Sequence, residues 1–136
     1  MESNGIMVTL DTHVIIWDAL NPKLVSRKAK EEIRKAQQTG GIIFCEISLW
    51  EIAMLMKKQR VIIDITYQEF IGLIKASNNY IFKGITPEIA ELAINLASEI
   101  NQDPADRLIL ATSIVTNAPL VTADKNLQQS KLKTIW

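Results

Sequence analysis

Short apolar runs alternate along this chain with longer stretches whose apolar residues recur at helical spacing. Ile6-Met7-Val8-Thr9-Leu10 reads as a first strand ending at Asp11-Thr12, and His13 to Ala19 as a short helix. Asn21-Pro22 breaks that helix, because proline biases the residue before it away from helix. Ser26 is placed as the N-cap of a helix to about Gln38, with Arg27, Lys28, Lys30, Arg34 and Lys35 outward and Glu31 and Glu32 between them. Gly40-Gly41 ends it, and Ile42 to Cys45 is a second strand. Ser48 then opens a helix through Leu49, Ile52, Ala53 and Met56, closing in Lys57, Lys58 and Arg60, where basic residues suit the helix dipole. Thr66 caps a helix through Phe70, Ile71 and Ile74, and Tyr80 to Phe82 is a third strand. Thr86-Pro87 and Asp103-Pro104 each open a further helix, with proline in its favoured first position. Pro119 to Thr122 carries a fourth strand, Asp124 to Gln129 a short helix, and Leu132 to Trp136 a final strand.

Strands alternating with helices predict an α/β domain with a parallel sheet between two helical layers. Residues 1–136 are the size of one such domain. In these sheets, sites form beyond the carboxyl ends of the strands, near the point where strand order reverses. Asp11 follows the first strand directly and Asp124 lies just past the fourth. If those strands are neighbours, both carboxylates reach one crevice.

Composition narrows the picture. Hydrophobic residues make up 48% and charged residues 22%, which supports a packed core and excludes a disordered chain. Fifteen basic and fifteen acidic residues cancel, so there is no global basic field to draw in nucleic acid. Nucleic-acid binding would need local basic patches, bound cations or a second subunit, and a net charge near zero suits a protein that associates. Cys45, the one cysteine, sits in an apolar run as a small buried hydrophobe, which leaves no disulfide framework and no cysteine metal site. Met1 to Gly5 is too short and polar for a signal peptide, and no apolar stretch reaches membrane-spanning length, so a reducing cytoplasm is the expected setting.

The chemistry lies in the acids at the element boundaries. Asp11 reads either as a helix cap or as a site residue at the end of the first strand. Glu51 stands three residues after Ser48, the spacing of a Ser-x-x-Glu capping box, so capping competes with a functional role. In Asp103-Pro104-Ala105-Asp106, Asp103 suits the N-cap, and Asp106 lies in the first turn, where the dipole favours an anion. Arg107 either pairs with an acid at the surface or touches a phosphate. Asp124 either caps the last short helix or completes an acidic group, with Thr122 orienting a bound water or simply filling the strand.

Like charges gathered in one crevice are costly unless cations neutralise them, and carboxylates without His or Cys companions suit Mg²⁺ or Mn²⁺. Two such ions about 3.5–4 Å apart, or one with a carboxylate base, can drive phosphodiester hydrolysis by water. His13 is read as a pocket-edge or hydrogen-bonded residue, and Trp17 and Trp50 as covers of the core. Lys57, Lys58 and Arg60 either contact a phosphate backbone or form a solvated helix end. Ile89, Leu92, Ala93, Leu96 and Ile100 form a stripe for the core or a dimer face.

Leu10-Asp11-Thr12-His13, Ser48-Leu49-Trp50-Glu51-Ile52, Asp103-Pro104-Ala105-Asp106-Arg107-Leu108-Ile109 with Ala111-Thr112, and Leu120-Val121-Thr122-Ala123-Asp124 stand in that order across nearly the whole chain. This ordered set resembles the PIN-domain family, in particular the VapC-like toxins of toxin–antitoxin pairs. The resemblance implies a parallel sheet of order 3-2-1-4-5 flanked by helices, and Mg²⁺- or Mn²⁺-dependent ribonuclease activity. It maps the family's site acids onto Asp11, Glu51, Asp106 and Asp124, with Asp11, Asp106 and Asp124 holding the metal and Asp103 as an additional supporting acid. It also implies a homodimer and a cognate antitoxin whose tail covers the pocket. The chain departs from related sequences where they often carry Gly-Arg after the Glu-bearing helix and a basic residue before Asp-Pro; here stand Gln59-Arg60 and Asn101-Gln102.

The expected function is therefore a metal-dependent endoribonuclease acting on RNA, the toxin of a toxin–antitoxin pair. Thr12 and Thr122 would support the acids, and Arg107, Lys57 and Arg60 would contact substrate. Two alternatives use the same fold class. In a non-catalytic RNA- or protein-binding module the acids would be caps. A receiver-type signalling domain would need paired acids near the first strand and a late Lys, which Lys125 fits only loosely.

Overall fold

Met7–Leu10 forms strand β1 at the centre of a five-stranded sheet. Gly41–Cys45 (β2) pairs with one side of it and Leu120–Val121 (β4) with the other. Tyr80–Lys83 (β3) extends the sheet beyond β2, and Thr134–Ile135 (β5) extends it beyond β4. Every pairing is parallel and the order is β3-β2-β1-β4-β5, as the resemblance implied. Chain direction across the sheet reverses at β1, so the crevice beyond β1 and β4 is the switch point. The computed structural model describes residues 5–77, 79–129 and 132–136; most of the polar stretch before the first strand lies outside them.

The helices are α1 (Thr12–Leu20), α2 (Arg27–Gln38), α3 (Ile47–Lys57), α4 (Tyr67–Ala76), α5 (Pro87–Asn95), α6 (Pro104–Thr116) and α7 (Lys125–Gln128), with a short 3₁₀ turn at Pro22–Leu24. Alternation along the strands sorts them into two layers. Val8, Leu10, Ile42, Phe44 and Val121 face a core built with Val14 and Ile15 of α1, Ile33 of α2, Ile52 of α3 and Phe70 of α4. Cys45 and Leu120 face the other side, where Ile109 and Leu110 of α6 and Leu127 of α7 cover them. α5 then packs on α6 through Ile89, Ala93 and Ala111. Among the described residues no helix is long and apolar enough to cross a membrane.

Four caps form as their residues predict. Ser26, Thr66, Thr86 and Asp103 each accept a backbone N–H of the first turn, and Thr66 with Glu69 completes a capping box. Two expectations fail. α3 begins at Ile47, one residue before the expected start, so Ser48 lies buried inside the helix and makes no capping box with Glu51. α5 stops at Asn95, so Leu96 and Ile100 leave the helical stripe; Ile100 reaches the core from the loop, and Ile94 stays exposed.

The end of α3 explains the Gln59 departure. Arg60 N–H bonds Leu55 O at 2.9 Å and Gln59 N–H bonds Met56 O at 3.1 Å, a Schellman ending with Gln59 at φ 56°. Glycine adopts this left-handed conformation without steric cost, whereas glutamine does not. Gln59→Gly is therefore expected to stabilise the fold by about 0.5–1 kcal/mol, read as a rise in the urea midpoint at unchanged slope.

Candidate active site

Asp11 stands at the N-cap position of α1, yet its side chain caps nothing. Its Oδ2 instead accepts the Thr122 hydroxyl at 2.7 Å, and Thr122 Oγ1 in turn accepts the Asp124 N–H at 3.0 Å. Thr122, wholly buried at the end of β4, thus joins the acid of the first strand to that of the fourth. Asp124 spends Oδ1 on the N–H groups of Asn126 and Leu127 at the start of α7, leaving Oδ2 as its second oxygen.

Glu51 is freed from capping by the early start of α3. Thr12 Oγ1 donates to its Oε1 at 2.5 Å and lies 2.7 Å from Ser48 Oγ. A hydroxyl has one proton, so Ser48 donates to Thr12 and Thr12 to Glu51. The buried serine that looked like a cap is the far end of a short relay that orients this carboxylate.

Asp103 caps α6 through Oδ1, which accepts Ala105 N–H at 2.8 Å and Asp106 N–H at 3.2 Å. Asp106, one turn in, accepts the Asn101 Nδ2–H on Oδ2 at 2.7 Å. Asn101 also accepts the Asp103 N–H at 2.8 Å. In the sequence Asn101 stands out only as a departure from related chains and carries no site role; its one local signal for such a role is an Asx-type turn onto a helix N-cap two residues later.

All five acids line one cavity of about 490 Å³. Val14, Trp17, Met54 and Leu55 form its apolar wall, His13 stands exposed beside Trp17 with ring centroids 5.8 Å apart, and Arg60 also lines it. Single oxygens of Glu51, Asp103 and Asp106 lie within 4.8 Å of one another. Asp103, which the resemblance gave only a supporting part beside Asp11, Asp106 and Asp124, therefore lies within this close group. Among the described residues the ion pairs are Arg34–Glu31 and Lys35–Glu32, and neither involves a cavity acid.

The electrostatic consequence falls most heavily on Asp106. Burial, and then the charges of Asp11, Asp103, Glu51 and Asp124, push its carboxyl up to about 8. Burial also raises Asp11 and Glu51, against the hydrogen bonds from Thr122 and Thr12 respectively.

Three residues are placed differently from expectation. Arg107 is buried and absent from the cavity, so neither a surface salt bridge nor a phosphate contact describes it. Its guanidinium donates to the carbonyls of Ala93, Ile94, Leu96, Ala97, Ile100 and Asn101 instead. Lys57 is exposed on the last turn of α3, outside the cavity lining. Trp50, expected over the core, is 61% exposed, whereas Trp17 packs against it.

A parallel 3-2-1-4-5 sheet with acids converging at its switch point defines a class of protein, and the chain belongs to the PIN domain family, whose model matches residues 8–132. Over 132 residues it is 33% identical to Ribonuclease VapC22 of Mycobacterium tuberculosis, covering 95% of this chain and 98% of that one. Solved structures sharing the fold include a toxin–antitoxin complex from Klebsiella pneumoniae, at 20% identity and TM-score 0.63, covering 91% of this chain and 92% of that one. VapBC2 from Rickettsia felis, bound to a DNA fragment from its promoter, matches at 14% identity and TM-score 0.66 over 95% and 96% of the two chains.

Proposed function

We propose that this chain is a Mg²⁺- or Mn²⁺-dependent endoribonuclease and the toxin of a toxin–antitoxin pair. The observation that carries the reading is the convergence of five carboxylates on one cavity with, among the described residues, no ion-paired protein cation. An all-oxygen, multiply acidic donor set fits a hard divalent ion and does not suit a soft one. Glu51, Asp103 and Asp106 would hold the ion at the tightest point, with Asp11 and Asp124 completing the acidic wall. When bound, such an ion lowers the pKa of water and stabilises charge on a phosphodiester.

The chain's own residues supply the rest. Thr122 and the Ser48–Thr12 pair lock Asp11 and Glu51, so these carboxylates need little reorganisation on meeting substrate. With Oε1 held by Thr12, the second oxygen of Glu51 either binds the ion or orients the attacking water. Arg60 places a cation in the cavity wall, suited to a phosphate of the RNA strand. The family relation supports a homodimer and a cognate antitoxin as partners, and the antitoxin would close the pocket to RNA.

The alternative, a non-catalytic module whose acids are caps, has partial support. Asp103 and Asp124 do cap helices, but Asp11 and Glu51 do not. Incubation of the purified protein with single-stranded RNA separates the readings. Cleavage is expected with Mn²⁺, and none with a chelator. Asp11→Asn is expected to lower the rate by at least about 100-fold while retaining the fold by circular dichroism. Full activity in a folded Asp11→Asn variant would refute the assignment.

A further inference from the structure

Asn101 lies on the segment between α5 and α6, outside both helices, yet its side chain touches both acids of the α6 first turn. Its Nδ2–H fixes Asp106 Oδ2, and its Oδ1 holds the Asp103 backbone N–H. Its own backbone N–H donates to Asn126 Oδ1 at 2.8 Å, and Asn126 N–H is held by Asp124 Oδ1 at 2.8 Å. A continuous chain of hydrogen bonds therefore runs Asp124–Asn126–Asn101–Asp106 and ties the α7 end of the cavity to the α6 end. Arg107 clamps the carbonyl of Asn101 itself and those of Leu96, Ala97 and Ile100.

We infer that Asn101 is a positioning residue of the metal site: it holds Asp106 by one oxygen so that the other faces the cavity beside Glu51 and Asp103. This rests on the metal-site reading proposed above. The chemistry suits the task. A carboxamide donates a hydrogen bond without bringing a positive charge, so it aims the carboxylate while leaving the negative charge that attracts a cation. A Lys or Arg at this point would aim it and also compete with the cation. Partners that orient metal-binding carboxylates behave as a built part of the site.

The test is Mn²⁺ titration by calorimetry on wild type, Asn101→Ala and Gln102→Ala, with RNA cleavage measured in parallel. Gln102 is the control: its Nε2 bonds Ser98 O and Ile100 O in the same segment, and among the described residues it bonds no acid. Asn101→Ala is expected to weaken Mn²⁺ binding by about tenfold or more, and to lower kcat with KM for RNA little changed. Gln102→Ala is expected to stay within about twofold of wild type in Mn²⁺ affinity. Equal losses in the two variants, or none in Asn101→Ala, would overturn the inference by reducing Asn101 to an ordinary loop residue. Should Asn101→Ala not fold, the assigned side-chain amide signal of Asn101 in wild type decides: it is expected to shift on Mg²⁺ titration, and indifference to Mg²⁺ overturns the proposal. If wild type takes up no Mn²⁺ at all, the metal-site reading itself fails, a different outcome from wild-type binding that Asn101→Ala leaves intact.

Discussion

Asp106→Asn is expected to abolish RNA cleavage and, in the metal-free protein, to raise the unfolding midpoint. The two effects have one cause. Burial and four neighbouring carboxylates hold Asp106 up at about 8, far above the ordinary range of an aspartate in an unfolded chain. Between about pH 4 and about pH 8 the folded state therefore keeps a proton that the unfolded state has released. A raised folded-state pKa contributes stability that is fully present below about pH 4 and lost as pH rises through about 8. Asparagine has no such proton to lose, so the advantage of the variant grows across that window. At pH 8 it should amount to a midpoint rise of about 3 °C or more by scanning calorimetry. The Asn101 bond survives, since an amide oxygen can replace Oδ2 as acceptor. Saturating Mn²⁺ should reverse the order, stabilising wild type by mass action while the variant gains little. A variant that is both inactive and less stable at every pH would mean that Asp106 is a structural residue.

The second large effect belongs to Arg107. α5 carries no basic residue in its last turn, and its terminal carbonyls at Ala93 and Ile94 are met instead by this guanidinium from α6. The contacts to Ala93 O at 2.9 Å and Leu96 O at 2.6 Å are the shortest of six. Arg107→Ala leaves several carbonyls of a tightly turned segment without their donor, at an expected cost of about 3 kcal/mol or more in urea unfolding. Arg107→Lys should recover little of it, because an ammonium cannot fan out over carbonyls on both sides. Since the same clamp sets the path of Asn101, Mn²⁺ affinity should fall with stability in both variants. A loss below about 1 kcal/mol would show that the segment holds itself.

Much of this was legible in the residues because local and global signals agree. The strand runs at Val8, Ile42 and Leu120 and the caps at Ser26, Thr66, Thr86 and Asp103 sit where the pattern places them. The meeting of Asp11 and Asp124 required only that β1 and β4 be neighbours, which the parallel order supplies. What stayed hidden was decided between elements. Ser48 has the local chemistry of a cap, but Thr12 recruits its hydroxyl from across the sheet end, and the helix starts earlier. Arg107 beside an aspartate reads as a surface ion pair, yet its partners lie up to 14 residues back in the chain. Asn101 gains its role only once Arg107 has set the path of its loop. Periodicity marks which face of an element is buried and leaves open which long polar side chain folds back beneath its neighbour.

The most direct test of the central claim is calorimetric titration of metal-free wild type with Mn²⁺ at pH 7, in two buffers of different ionisation enthalpy. Saturable binding is expected, with proton release that appears as a buffer-dependent heat, because Asp106 must give up its proton to take a cation. The absence of any Mn²⁺ uptake by folded protein would contradict the account, and the five carboxylates would then need another explanation.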